Sequence, residues 1–196
     1  MNKPLILIGG GGHCKSVIDA AESAGYSILG ILDRPEKIGQ KVLGYTVLGS
    51  DDDISGFVEK AEFIITVGQI KSNIARHRIA EIIEKSGGRL ATIIANDAYV
   101  SKYAVVEEGT VVLHKAFVNA GATVGKNCII NTMVNIEHDA QIGDFCHIST
   151  GAMVNGETKI GHDTFVGSGS TLYNCIEIAD NSIIPAGSVV RKSNVK

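Results

Sequence analysis

Residues 118–166 read VNAGATVGKNCIINTMVNIEHDAQIGDFCHISTGAMVNGETKIGHDTFV. An aliphatic residue stands at every sixth position: Val118, Val124, Ile130, Ile136, Ile142, Ile148, Val154, Ile160 and Val166. The step continues back through Val112, Val106 and Val100 to Ile94, and forward through Leu172, Ile178 and Ile184 to Val190. Two residues before most of these sits a small side chain, such as Ala116, Ala122, Cys128, Ala140, Cys146, Ala152 or Thr158. An amphipathic helix repeats near 3.6 and a strand at 2, so neither accounts for a step of six. A six-residue repeat marks a parallel β-helix: each repeat is a short strand and a turn, and three repeats close a triangular coil. The aliphatic and the small residue point inward and the residue between them outward. Coils stack about 4.8 Å apart, and each buried aliphatic side chain contributes roughly 1.5–3 kcal/mol. Nothing interrupts the step, so smooth coils without an inserted loop are predicted.

The residues before Ile94 follow other rules. Leu5 to Ile8 reads as a short buried strand, and Gly9 to Gly12 as a tight turn. A helix follows over Cys14 to Ala24, with Val17, Ile18, Ala21 and Ala24 on one face and Gly25 ending it. Ile28–Leu32 and Phe63–Val67 read as strands, Ile70–Ser86 as a helix stopped by Gly87-Gly88, and Leu90–Ile94 as a last strand. Ser50 is placed to cap a short helix beginning at Asp51 to Asp53, where acids favour the helix dipole. Strands alternating with helices predict a parallel sheet. The fold class is therefore α/β plus β: a small Rossmann-like domain over residues 1–93, then a parallel β-helix over 94–196.

Composition narrows the functions. Hydrophobic residues make up 44% of the chain but aromatics only 5%, so the core is built from aliphatic side chains. A net charge of −3 with no basic block argues against nucleic acid. No apolar run has the length of a membrane span, and Met1 to Ile8 lacks the form of a signal peptide, so a cytoplasmic protein is expected. Cys14, Cys128, Cys146 and Cys175 show no metal-ligand spacing, and neither zinc nor disulfides are expected.

With both halves in place, the chain resembles the hexapeptide-repeat acyltransferases. More closely, it resembles bacterial nucleotide-sugar acetyltransferases with a Rossmann-like N-terminal domain, including those that N-acetylate UDP- or GDP-linked 4-amino sugars. The resemblance rests on Gly9-Gly10-Gly11-Gly12-His13, Leu32-Asp33, Thr66-Val67-Gly68 and the repeats with Ile136-Glu137-His138-Asp139. It implies a left-handed coil, a homotrimer, acetyl-CoA as co-substrate and a nucleotide sugar as acceptor. Sialic-acid O-acetyltransferases share the layout, so the acceptor atom stays open.

His138 stands in a turn two residues after an inward Ile136 and is the candidate general base. Asp139 beside it can fix the ring tautomer and raise the basicity of the other nitrogen; the resemblance implies a His-Asp or His-Glu pair at this place. Glu137 is expected to point elsewhere. Gly156, in Val154-Asn155-Gly156, falls where the resemblance implies a backbone N–H donor to the developing oxyanion, and a glycine lets a thioester approach closely. The resemblance assigns His147, an outward mid-strand residue, to acetyl-CoA held by the neighbouring subunit. Asn131 is a further candidate near the acceptor. Cys146 is an inward repeat residue and so not a nucleophile; direct transfer in a ternary complex is expected.

In the first half, glycines between a strand and a helix can cradle a diphosphate. A full GxGxxG is absent, since Cys14 or Lys15 stands where its last glycine would be, which argues against NAD or FAD. Gly10, Gly12, His13, Asp33 and Gly68 are the candidate substrate-binding residues. His77, His114 and His162 read as exposed positions.

Three features depart from the family pattern. Arg34 follows Asp33 where many relatives carry a second acid. Gly68-Gln69 replaces Gly-Asn, and the arginine usual a few residues on is displaced, with Ser72 or Asn73 there instead. The Gly-x-Pro-Ala-Lys segment that follows the repeats in relatives is not found before Lys196, which implies a truncated chain or weaker cofactor binding. Competing readings are a γ-type carbonic anhydrase, disfavoured because no two histidines are five residues apart, a non-catalytic sugar-nucleotide-binding trimer, and a hydroxyl-acetylating enzyme of the same class.

Overall fold

Two compact units divide the chain, Met1–Ile93 and Ile94–Lys196. The computed structural model describes residues 3–70 and 72–194. In the first unit, β1 (Leu5–Ile8), β2 (Ile28–Leu32), β4 (Tyr45–Gly49) and β5 (Glu62–Ile65) form a parallel sheet, with β3 (Lys41–Val42) antiparallel at its edge, in the order β3-β4-β2-β1-β5. Every residue of β1 is buried, as expected of a central parallel strand covered on both faces. Helix α1 (Gly12–Ser23) begins earlier than its apolar pattern suggests, because the glycines themselves enter its first turn. Helix α2 (Ile74–Lys85) is shorter than the predicted Ile70–Ser86; Lys71, within that span, lies outside the described residues. The hairpin from β3 to β4 escaped the sequence reading, since its turn uses Leu43 at φ 47° before Gly44 instead of an Asn-Gly pair. The expected strand over Leu90–Ile94 reduces to a single parallel bridge, Phe63 to Leu90, while Ile93–Ile94 joins the coil.

In the second unit each six-residue repeat forms a two-residue strand, and the strands build three parallel sheets. Face one carries Tyr99–Val100, Phe117–Val118, Asn135–Ile136, Met153–Val154, Thr171–Leu172 and Val189–Val190. Face two runs from Val105–Val106 through Gln141–Ile142 to Glu177–Ile178, and face three from Ile93–Ile94 through His147–Ile148 to Ile183–Ile184. Phe117 pairs with Asn135 and Ile136 with Val154, so each strand stacks on the one three repeats on. The inward aliphatics from Val112 to Ile184 form one continuous core.

The small inward residues have a second duty. Thr110, Cys128, Cys146 and Thr158 each donate a side-chain bond to a corner carbonyl of the next coil, at 2.7, 3.1, 3.1 and 2.6 Å. A larger residue would fill the coil, and an alanine would forgo the bond. Cys146 is buried, and the Cys128 thiol beside it, with burial, holds its own thiol above the usual range, so it is not a nucleophile.

From Gly109 on, each corner turns through a residue of positive φ. At six-residue steps these are Gly109, Lys115, Gly121, Asn127, Met133, Asp139, Phe145, Gly151, Glu157, Asp163, Gly169, Cys175, Asn181 and Gly187. The side chains that are not Gly, Asn or Asp carry a left-handed penalty of about 1–2 kcal/mol. Lys115, exposed at φ 58°, is one of them. Lys115→Gly should therefore raise stability by about 0.5–1 kcal/mol despite glycine's extra unfolded-state entropy, measured as a higher denaturation midpoint with unchanged slope.

Candidate active site

The corner between faces one and two carries His138 and Asp139. Asp139 is the positive-φ residue of that corner, at 59°, and this turn brings its carboxylate back to the preceding ring. His138 Nδ1 lies 2.9 Å from Asp139 Oδ2. An ionised carboxylate only accepts, so Nδ1–H donates and Nε2 keeps the lone pair. Hydrogen bonding to Asp139 raises the pKa of His138. The ring stays open to solvent, with 58% of the side chain exposed.

The coils on either side make room for this pair. A Cβ at Gly156 would meet His138 Cε1 and Nε2 at 2.7 Å, so the imidazole rests directly on the glycine of the next coil. A Cβ at Gly121, on the preceding coil, would fall on Asp139 Oδ1. Gly121 went unremarked in the sequence; its signal is its place one full coil, or 18 residues, before Asp139, the offset of Asn119 from Glu137. Glu137 indeed points elsewhere. Asn135 and Asn119 donate to its two oxygens at 2.9 and 2.8 Å, and these bonds lower its pKa.

The other histidines at this repeat position are built differently. His162 Nδ1 accepts the Asp144 N–H at 2.9 Å, which puts the proton of its neutral form on Nε2, the opposite tautomer. His114 is only half exposed: its Nδ1 is 2.5 Å from Asp97 and its Nε2 is shut away from solvent. His77 is exposed.

His147 departs from the expected open surface position. On face three, it is buried to 8% exposure, with Phe165 edge-on at 5.2 Å. Asn131 Oδ1 accepts the Thr132 N–H at 2.8 Å, which turns its amide Nδ2 toward His147 Nε2 at 3.1 Å. Nε2 is thereby the acceptor and Nδ1 carries the proton. His138, Asp139 and Gly156 thus form one group and His147 with Asn131 another. A corner between faces one and two is opposite face three, so a single coil does not bring the two groups together.

In the first unit a cavity of about 690 Å³ opens at the carboxyl ends of the strands, where α/β sheets bind ligands. Gly10, Gly12, His13, Asp33 and Gly68 all line it. Asp33 ties this wall together. Its Oδ2 accepts from Gly10 N–H at 2.7 Å and Lys37 Nζ at 2.8 Å, and its Oδ1 from Arg34 N–H at 2.7 Å. Burial pushes the Asp33 pKa up, but these bonds outweigh it and hold the carboxyl below the usual range. A Cβ at Gly10 would crowd Asp33 Oδ2 at 2.9 Å, so the close approach requires glycine. Ser50 caps the short turn Asp51–Gly56 in a reciprocal pair with Asp53. Arg76 is buried and donates to the Ile65 and Val67 carbonyls at 3.1 and 2.7 Å, bracing the end of β5. Among the described residues, no group of three or more His, Cys, Asp or Glu could hold a metal, and no helix is long and apolar enough to cross a membrane.

Comparison with known proteins bears on both units. Residues 4–83 match the PglD N-terminal domain, and residues 157–192 match the bacterial transferase hexapeptide (six repeats) family. The acetyltransferase domain of PglB from Neisseria gonorrhoeae, solved with acetyl coenzyme A, is 30% identical, with a TM-score of 0.89 over 98% of this chain and 93% of that one. The chain belongs to the hexapeptide-repeat nucleotide-sugar acetyltransferases. Its coil is the left-handed β-helix of that family, following a Rossmann-like domain in the sequence. A perosamine N-acetyltransferase from Caulobacter crescentus, solved with CoA and GDP-perosamine, is 27% identical, with a TM-score of 0.89 over 97% of this chain and 90% of that one. WeeI from Acinetobacter baumannii shares the fold, at 19% identity and a TM-score of 0.72 over 96% of each chain. A search of curated proteins finds no match.

The contact of His138 with Gly156 generates a test. In Gly156→Ala the new methyl group must displace the imidazole from its seat and from Asp139. Acetyl transfer should fall by roughly 10-fold to 100-fold, the scale of a 1 Å misplacement. The melting temperature should barely change, because the ring is exposed.

Proposed function

We propose that the protein transfers an acetyl group from acetyl-CoA to the amino group of a nucleotide-linked 4-amino sugar. The observation that carries this reading is the His138–Asp139 pair seated over Gly156, in a family whose solved members hold acetyl coenzyme A or CoA with GDP-perosamine. Acetyl-CoA supplies an activated thioester. His138 Nε2 takes the proton that the sugar amine sheds as its nitrogen attacks. Asp139 holds the tautomer with Nδ1–H and favours the imidazolium that results. The Gly156 N–H is the donor for the oxygen that gains charge, and the absence of a Cβ leaves room for the thioester. Collapse of the tetrahedral intermediate then breaks the C–S bond, and the departing CoA thiolate takes the proton from the His138 imidazolium to leave as the thiol. Gly10, Gly12, His13, Asp33 and Gly68 form the wall of the nucleotide cavity.

The separation of His147 and Asn131 from His138 within one coil supports a homotrimer. Three-fold packing of the prisms would set face three of one subunit beside the catalytic corner of the next. Tyr99, Phe117, Met153 and Val189 leave apolar side chains exposed along face one, as a subunit interface would use. In that assembly, His147 meets acetyl-CoA held by the neighbour. Both substrates belong to cytoplasmic metabolism, where we place the protein.

Release of CoA thiol with acetyl-CoA and a panel of UDP- and GDP-linked 4-amino sugars tests the reading. Turnover on one of them, reduced about 100-fold or more in His138→Ala, is expected. Unchanged turnover in the mutant would discard His138 as base, and turnover confined to hydroxyl acceptors would discard the amine. The pH profile gives a separate check. The base is neutral only above its raised pKa, so kcat/KM should climb through that value. Asp139→Asn removes the cause of the shift, so the acid limb should move to lower pH while the plateau falls.

A further inference from the structure

We propose that Arg78 is a diphosphate-binding residue of the first unit's cavity, held ready by Asp51. This rests on the reading of that cavity as the nucleotide site. Ala75, Arg78 and Ile79 line it from α2, at the i, i+3, i+4 spacing of one helix face. Ile79 is buried, so the helix cannot rotate, and Arg78 is committed to the cavity wall. Gly11, Gly12 and His13, at the start of α1, line the same cavity.

The other cations of the wall are committed elsewhere. Lys37 is bound to Asp33, a carboxylate with only 10% of its side chain exposed and two backbone N–H bonds of its own, so that pair is locked. Arg34 turns toward Glu36 at 3.3 Å, a residue outside the cavity lining, whereas the partner of Arg78 lies within it. Arg78 differs. One terminal nitrogen contacts Asp51 Oδ2 at 2.5 Å, while 56% of the side chain remains exposed. A guanidinium has five N–H donors in a planar fork, and a phosphate presents to it the geometry that a carboxylate does. Asp51 therefore holds one edge of the fork and leaves the remaining N–H donors to a phosphate. Asp51 is itself rigid, because it opens the turn closed by Ser50 and Asp53.

The test is titration calorimetry of the full protein with UDP and GDP, across a range of sodium chloride concentrations. Whichever diphosphate binds wild type should bind Arg78→Gln about 10-fold to 100-fold more weakly. Its affinity should also depend less steeply on salt. Arg78→Lys, which keeps the charge but not the fork, should fall between. Lys85→Gln, which removes a cation from the far end of the same helix, should bind like wild type; a loss there equal to that of Arg78→Gln would reduce the effect to general charge and overturn the proposal. Wild-type affinity in Arg78→Gln would also overturn it, as would a loss with unchanged salt dependence, which marks a contact to base or ribose. Wild type binding neither nucleotide would remove the nucleotide reading of the cavity, and Arg78 with it.

Discussion

The stacking of each strand on the one 18 residues later governs the second unit. Parallel pairing at this fixed offset puts identical repeat positions in columns, about 4.8 Å apart. A column of inward aliphatics makes the core, and columns of small donors tie each coil to the next. Because the offset is rigid, any side chain at a corner has only two neighbours to negotiate with, one coil back and one coil on. The corner of His138 and Asp139 is such a negotiation. Asp139 needs space at Gly121, His138 needs space at Gly156, and neither glycine adjoins the pair in sequence.

Chemistry at that corner depends on which ring nitrogen holds the proton. His114, His138 and His162 share a repeat position, yet their partners differ: a carboxylate from another coil, the carboxylate of the next residue, and a backbone N–H. Only the arrangement at His138 leaves Nε2 both basic and open to solvent. Asp139 and Asp163 share the same positive φ, and the preceding coil makes the difference: the Ala120 N–H, at the place of the Asp144 N–H, is taken by Asn119 Oδ1 at 2.8 Å, which leaves His138 Nδ1 to Asp139.

In the first unit, Asp33 holds the glycine turn, the strand end and Lys37 with one carboxylate. Three of its acceptor sites are spent on the protein, so the carboxylate shapes the wall of the cavity.

Much of this was legible in the sequence. A step of six kept from Ile94 to Val190 permits one architecture, because only a coil returns the same face to the core at that interval. The strand–turn–helix at Leu5 to Ala24, the Ser50 cap and the His138-Asp139 pair were likewise readable from local pattern. The tertiary structure alone decided the rest. It brought Gly121 and Gly156 against His138 and Asp139, buried His147 beside Asn131, formed a hairpin on Leu43-Gly44, and made Arg76 a brace and Arg78 a wall of the cavity. Local periodicity is a property of neighbouring residues, whereas these contacts join residues one coil or one crossover apart. Their meeting is set by strand register and helix packing, which no short stretch of the chain contains.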